Sequence, residues 1–206
     1  MVSLCMAMTA TAQEETARLT FFNTFGPAKI QLASGKTINN KFTNIALKDG
    51  ALLYLQGTYT MQANMETIQG VEMNGRHFVK IKDQLAECLD TIGENQLFCV
   101  TLVDIPAFQQ MMRNNRNITS LDLASDVTSY STIDLESEDD RRLPLIHIFY
   151  YRYNGEIFKT HEREVWRRLP KDKRHIYKSI ISLPDFTWVH RESLVKLLKG
   201  ITSKKE

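Results

Sequence analysis

The chain has 206 residues, of which 43% are hydrophobic and 24% are charged, and its formal net charge is +2. This length and composition are typical of a globular protein and exclude wholesale disorder. No run approaches the ~18 consecutive apolar residues that a membrane-spanning helix needs. We therefore expect a mature chain without a transmembrane segment.

The first twelve residues have the pattern of a signal peptide. Residues 1–12 form an uncharged apolar run that closes on Ala10-Thr11-Ala12, the small-x-small pattern that signal peptidase cleaves. No Lys or Arg precedes Arg18, so the charged start of such a peptide would lie upstream of Met1. The pattern predicts export to the periplasm, the cell surface or the medium, with a mature chain that begins at Gln13. The alternative is the apolar N-terminus of a cytosolic protein.

Residues 17–116 have the pattern of an antiparallel β meander that ends in a short helix. Asn74-Gly75 lies between two alternating segments and favours a type I′ hairpin, because both central residues need positive φ. Leu97 to Val103 is apolar on both faces and should be a central strand. Asp104-Ile105-Pro106 then begins a helix. The other predicted strands are Ala28–Leu32, Leu52–Gln56, Tyr59–Ala63, Val71–Met73, His77–Ile81 and Leu85–Ile92.

Residues 117–142 are predicted to form an acidic, Ser/Thr-rich linker or long loop. Asn117 to Asp140 contains no Lys or Arg and ends in four carboxylates within five residues, at positions 136–140. These carboxylates could coordinate Ca²⁺, but they lack the glycine and terminal glutamate of an EF-hand loop. A solvated, extended linker is therefore favoured.

Residues 143–201 are predicted to form a hairpin followed by two helices, and residues 202–206 a frayed tail. Strands over Leu145–Tyr153 and Glu156–Trp166 would meet at a second Asn-Gly turn, Asn154-Gly155. Helices are expected over Lys171–Ile181 and from about Thr187 to Lys199, the last one capped by Gly200. The predicted fold class is therefore α+β, with an antiparallel β-rich N-terminal part and a small α+β C-terminal part.

The segment from roughly residue 50 to residue 105 resembles an uncharacterised group of exported proteins from Bacteroidota. The resemblance rests on a Leu-Tyr-Leu strand at Leu53, an Ile-x-x-Val step from Ile68 to Val71 and a hairpin that carries Phe78-Val79, and it continues to Ile105. It implies export and a β-rich fold. It implies no activity.

Motifs for catalysis, nucleotides and metals are missing from the sequence. It contains no Gly-x-Ser-x-Gly, His-Glu-x-x-His, Walker A or Gly-x-Gly-x-x-Gly pattern. His147 and His161 would lie diagonally across the second Asn-Gly hairpin, with Glu162 and Glu164 nearby, so a metal site is conceivable. Hydrogen-bonded or solvated histidines on a half-exposed strand are the favoured interpretation. No catalytic residue, cofactor or metal is predicted.

Charge is divided unevenly along the chain. Residues 1–140 hold 10 Lys and Arg against 17 Asp and Glu, whereas residues 141–206 hold 16 against 7. Basic groups interleaved with aromatic rings can bind phosphate-rich polymers, and in an exported protein also anionic glycans, lipid headgroups or acidic proteins. The alternative is the solvated face of a helix. The predicted anion-binding residues are Arg167, Arg168, Lys171, Arg174 and Lys178.

Cys88 and Cys99 are the cysteines that remain after signal cleavage. Their midpoint falls between Gly93 and Glu94, so a hairpin symmetric about that turn would set them directly opposite each other. In an oxidising compartment such a pair can form a cross-strand disulfide. Reduced thiols that act as small apolar groups are the alternative.

These features favour an exported binding or structural module of the cell envelope that contacts anionic partners. One alternative is an enzyme, such as a hydrolase of glycans or peptides, with an unfamiliar active site; a concave pocket with several shifted pKa values would indicate it. The other is a nucleic-acid-binding protein, which requires that the chain is not exported.

Overall fold

The computed structural model describes residues 19–114 and 144–203. Eight strands precede the first helix, which spans Ile105–Asn114 (α1), and two strands and three helices follow it. The first eight strands are Gly26–Leu32 (β1), Thr37–Ile45 (β2), Leu52–Gln56 (β3), Tyr59–Gln62 (β4), Ile68–Met73 (β5), Arg76–Ile81 (β6), Gln84–Ile92 (β7) and Asn95–Val103 (β8). The later elements are strands Leu145–Tyr153 (β9) and Glu156–Lys159 (β10) and helices Glu162–Arg168 (α2), Arg174–Ile181 (α3) and Arg191–Thr202 (α4).

The ten strands form one antiparallel sheet that curves into a half-barrel, in the order β10-β9-β8-β7-β6-β5-β1-β2-β3-β4. The α+β, β-rich fold class is confirmed. The N-terminal and C-terminal parts share this sheet, because β9 pairs with β8 from Gln96↔Arg152 to Val103↔Leu145. The C-terminal hairpin is therefore an extension of the meander.

Both Asn-Gly hairpins form as predicted. Asn74 and Gly75 have φ values of 49° and 71°, and Asn154 and Gly155 have φ values of 50° and 83°. These positive values are the ones a type I′ turn needs, and Asn and Gly adopt them at low cost. The turns join β5 to β6 and β9 to β10. Strand β8 is internal, as predicted, because it pairs with β7 on one side and β9 on the other.

One face of the sheet carries two large apolar clusters. The first cluster lies between strands β8–β10 and the C-terminal helices, where Tyr151, Leu194 and Leu197 are fully buried. The second cluster lies between β1, β2, β3, β5 and β6 and includes Val71 and Phe78, with the rings of Phe21 and Phe22 against it. Helices therefore cover the β10 end of the sheet.

Three boundaries in the C-terminal part differ from the prediction. Strand β10 ends at Lys159, and the residues predicted to continue it, including Trp166, form α2 instead. Helix α4 begins only at Arg191. Gly200 lies inside α4, where a Cβ atom would overlap Ile180 Cδ1, so this glycine allows α3 and α4 to pack closely.

Residues 1–18 and 115–143 lie outside the described part of the chain, and so do residues 204–206. Three predictions concern these residues: the signal peptide, the mature N-terminus at Gln13 and the acidic linker. Among the helices of the described part, none has the length and apolarity to cross a membrane.

Candidate functional site

The predicted anion-binding residues lie on α2, on α3 and on the short 3₁₀ turn Lys171–Lys173 between them. Helix α2 begins after His161, whose Nδ1 accepts the Arg163 N–H at 3.4 Å. It buries Val165 against the sheet, and the next residue after the helix, Leu169, is buried there too. Pro170 prevents α2 from continuing, because it has no N–H to donate.

Two of the five predicted residues are bound to carboxylates of the chain itself. Glu164 Oε2 accepts hydrogen bonds from Arg167 Nη2 at 2.9 Å and from Arg168 Nη1 at 2.5 Å. The Arg168 hydrogen bond and the neighbouring positive charges hold the pKa of Glu164 below its usual value. Arg168 Nε also donates to Glu156 at 3.0 Å, and its guanidinium lies 4.3 Å from the Phe158 ring centroid. Arg168 therefore joins α2 to β10, and Arg167 is partly neutralised.

The other three residues form a distinct surface, which we call the basic platform: Lys171, Arg174 and Lys178, with the indole of Trp166. Their spacing places them along one side of the 3₁₀ turn and α3. Arg174 Cζ lies 4.6 Å and Lys178 Nζ 5.4 Å from the Trp166 ring centroid. A cation over the face of an indole is attracted by the ring's negative potential. Within the described part of the chain, none of the three cations has a carboxylate within 4.0 Å.

A row of aromatic rings supports the platform. Trp166 lies 5.5 Å from Tyr177, Tyr177 lies 6.5 Å from Trp188, and Trp188 lies 5.1 Å from Phe186, measured between ring centroids. Burial, helped by the Glu162 charge, raises the pKa of Tyr177 to about 12. The row comes from three separate segments, and sequence analysis did not predict that its members contact one another. It fixes Trp166 beneath the two cations.

The two cysteines are not opposite each other, so the predicted cross-strand pair is wrong. Near the turn the register is the symmetric one, with Ile92 opposite Asn95. A β-bulge at Leu89 then shifts it, so that Cys88 pairs with Phe98 and Cys99 with Glu87. Side chains of directly paired residues share a face, so the two thiols point to opposite faces of the sheet. Both cysteines are free.

Strand β10 ends before it reaches one of the two histidines considered for a metal site. His161 lies at the start of α2 rather than on a strand. His147 Nδ1 lies 3.2 Å from Thr101 Oγ1 and 3.7 Å from Cys99 Sγ. In the described part of the chain, no group of three or more His, Cys, Asp or Glu side chains could hold a metal ion.

A groove of about 690 Å³ crosses strands β1, β2, β5 and β6. Its lining includes the polar side chains of Asn39, Asn40, Asn74 and His77. The strongly raised pKa values belong to Cys99, Tyr151 and Tyr177, which lie in the first apolar cluster, at the other end of the sheet. The groove and the shifted groups are therefore separate, and a catalytic pocket of the predicted kind does not follow from them.

Comparison with models of protein families, with curated proteins and with solved structures found no match to this chain.

Proposed function

We propose that the protein is an exported module of the cell envelope that binds anionic partners through the basic platform. The proposal depends on one observation: Lys171, Arg174 and Lys178 lie along one side of the 3₁₀ turn and α3 and lack carboxylate partners in the described residues, while two of them lie over one indole. Export rests on the residues before Gln13. Binding rather than catalysis rests on the separation of the groove from the shifted titratable groups.

The arrangement favours a polyanion over a single small anion. Lys171 and Lys178 are exposed, whereas Arg174 is half-buried with its Nε atom unpartnered. Positive charges spread along a helix attract repeated sulfate, phosphate or carboxylate groups by long-range forces, which salt screens over about 8 Å at physiological ionic strength. Anionic glycans, anionic lipid surfaces and acidic proteins all share this chemistry.

Heparin chromatography of the mature chain tests the proposal. The double variant Lys171→Glu, Lys178→Glu should elute at clearly lower salt than the unchanged protein, because it reverses two platform charges. The control variant Lys36→Glu, Lys41→Glu makes the same change in net charge at two exposed lysines, one in the β1–β2 turn and one in β2. It should elute close to the unchanged protein.

Equal losses in the two variants would show that retention follows net charge alone and would contradict the platform. Sedimentation with vesicles that contain anionic lipid, and a pull-down with an acidic protein, then separate the sources of the anion.

An Arg174→Gln variant, which keeps a long polar side chain, should show an intermediate loss of heparin retention because one cation over Trp166 is removed.

A further inference from the structure

The two edges of the sheet differ in how they are protected. Exposed edge strands are normally blunted by charges, proline, bulges or a covering element, because their free backbone groups can pair with another chain. Strand β10 begins with Glu156 and ends with Lys159, and Arg168 from α2 bonds to Glu156. At the other edge, β4 pairs regularly with β3, and residues 50–65 contain no charged residue and no proline. Among the residues that the structure describes, β4 is therefore an edge strand that itself carries none of these protections.

The outward backbone groups of β4 follow from its ladder with β3. The Ala63 N–H donates to Leu52 O at 2.8 Å, so residues 52 and 63 form a hydrogen-bonded pair. Hydrogen-bonded and non-hydrogen-bonded pairs alternate in an antiparallel ladder. The N–H and C=O groups of Tyr59 and Met61 therefore point towards β3, and those of Thr60 and Gln62 point away from it. Among the described strands, β4 has a neighbour on one side only.

Two apolar side chains lie along the same edge. Tyr59 is 74% and Met61 is 40% exposed, and alternation along a strand places them on the same face. Ile38 and Phe42 of β2 add exposed apolar surface at this end of the sheet. The edge thus combines free backbone groups with side chains that gain from removal from water.

We propose that β4 pairs antiparallel with β4 of a second copy of the chain, joining two sheets into one. A two-fold axis at Met61 sets Thr60 opposite Gln62 of the second copy, and the reverse pair follows by symmetry. These two pairs use every outward N–H and C=O group of Thr60 and Gln62, which gives four backbone hydrogen bonds. Met61 meets its own copy and Tyr59 approaches Ala63, so apolar groups line one face of the joint.

The second copy fits this edge because the joint closes on itself under a two-fold axis and the paired residues 59–63 carry no charge. One four-residue strand from each copy buries less surface than the roughly 1,200 Å² of a standard interface. The dimer is therefore weak and depends on protein concentration. The basic platform lies at the opposite edge of each sheet, so pairing through β4 leaves both platforms accessible.

Sedimentation velocity of the mature chain over a wide concentration range, with reducing agent present, tests the dimer. The unchanged protein should shift from monomer to dimer as concentration rises. Met61→Lys places a charge at the two-fold axis and should weaken association about tenfold or more. Val189→Lys is the control, because Val189 is also an exposed apolar residue, 66% exposed, but lies between α3 and α4. It should leave association unchanged.

Amide hydrogen exchange locates the joint. In the dimer the amides of Thr60 and Gln62 should become protected, while those of Met61 and Ala63 are protected at every concentration. A chain that stays monomeric, a dimer that Met61→Lys does not weaken, or new protection confined to another strand would each overturn the proposal. The same holds if β4 becomes protected only when an extended peptide from another protein is added.

Discussion

The two ends of the sheet bury their apolar surface in different ways. At the β10 end, α2, α3 and α4 cover the sheet, and Leu194, Leu197 and Leu198 are fully buried. At the β4 end no described helix covers the strands, and large apolar side chains remain exposed. The comparison indicates that both ends contain a buried cluster, but only the covered end buries it beneath helices. The bare end, at β4, leaves Tyr59 and Met61 exposed on its outermost strand, so this edge keeps surface available for association.

Specific polar contacts fix the helices on the covered end. The buried Tyr151 hydroxyl donates to Leu194 O at 2.6 Å, which ties β9 to α4. Arg191 Nη2, at the start of α4, donates to Leu89 O at 2.7 Å. Leu89 is the extra residue of the β7 bulge, and bulges leave such backbone groups unpaired. The bulge that separates the two cysteines thus also provides an anchor for α4.

The largest expected effect is a difference in stability between the core beneath the helices and the exposed edge strand β4. Leu197→Ala should lower the free energy of unfolding by about 2–5 kcal/mol, because it leaves a cavity in a fully buried cluster. Met61→Ala at the exposed edge should change it by less than about 0.5 kcal/mol. Urea denaturation of both variants measures the contrast. Similar losses would mean that the bare end is covered in solution and would break the comparison.

A smaller effect is expected from the hydrogen bond beneath α4. Tyr151→Phe keeps the ring and removes the hydroxyl donor, so Leu194 O loses one of its partners. The expected loss is about 1 kcal/mol, since a typical intramolecular hydrogen bond contributes that much. Thermal denaturation measures this loss. Tyr54→Phe is the matched control, because Tyr54 of β3 is a half-buried tyrosine outside the covered end. A loss no greater than the control's would show that packing alone holds α4.

Local signals predicted much of the fold. The Asn-Gly turns were predictable because few residues tolerate positive φ. Helix α1 was predictable because Asp104 precedes it. In the structure, Asp104 Oδ1 accepts the Ala107 N–H. Strand β2 was missed: its first six residues are mainly exposed and polar, so no apolar alternation marks it. Its partners β1 and β3 impose the extended conformation, which a local pattern does not show.

The candidate site was less predictable than the fold. The basic residues were found by composition, but the pairing of Arg168 with Glu156, which lies on a different element, depends on the fold. Helix α2 was predicted as a strand, although its sequence contains helix signals. These signals are the cap at His161, the acidic first-turn residues Glu162 and Glu164, and the spacing of four residues between Val165 and Leu169. The cysteine register was missed because a single bulge moves every later pair by one residue.

The smallest expected effect is a pH dependence that originates at the covered end. Burial, which outweighs the hydrogen bond with Thr101, raises the pKa of Cys99 to about 11 from an ordinary value of 9.0. Because the folded state holds this proton more tightly than the unfolded state, the thiol's contribution to stability is complete below pH 9 and is lost as pH rises through 11. At pH 10 the loss should be about 1 kcal/mol. Urea denaturation at pH 8 and pH 10 should show this loss in the unchanged protein and in Cys88→Ala, which retains Cys99, but not in Cys99→Ala. An equal pH dependence in Cys99→Ala would assign the loss to other groups and would remove Cys99 from the desolvated interior of the covered end.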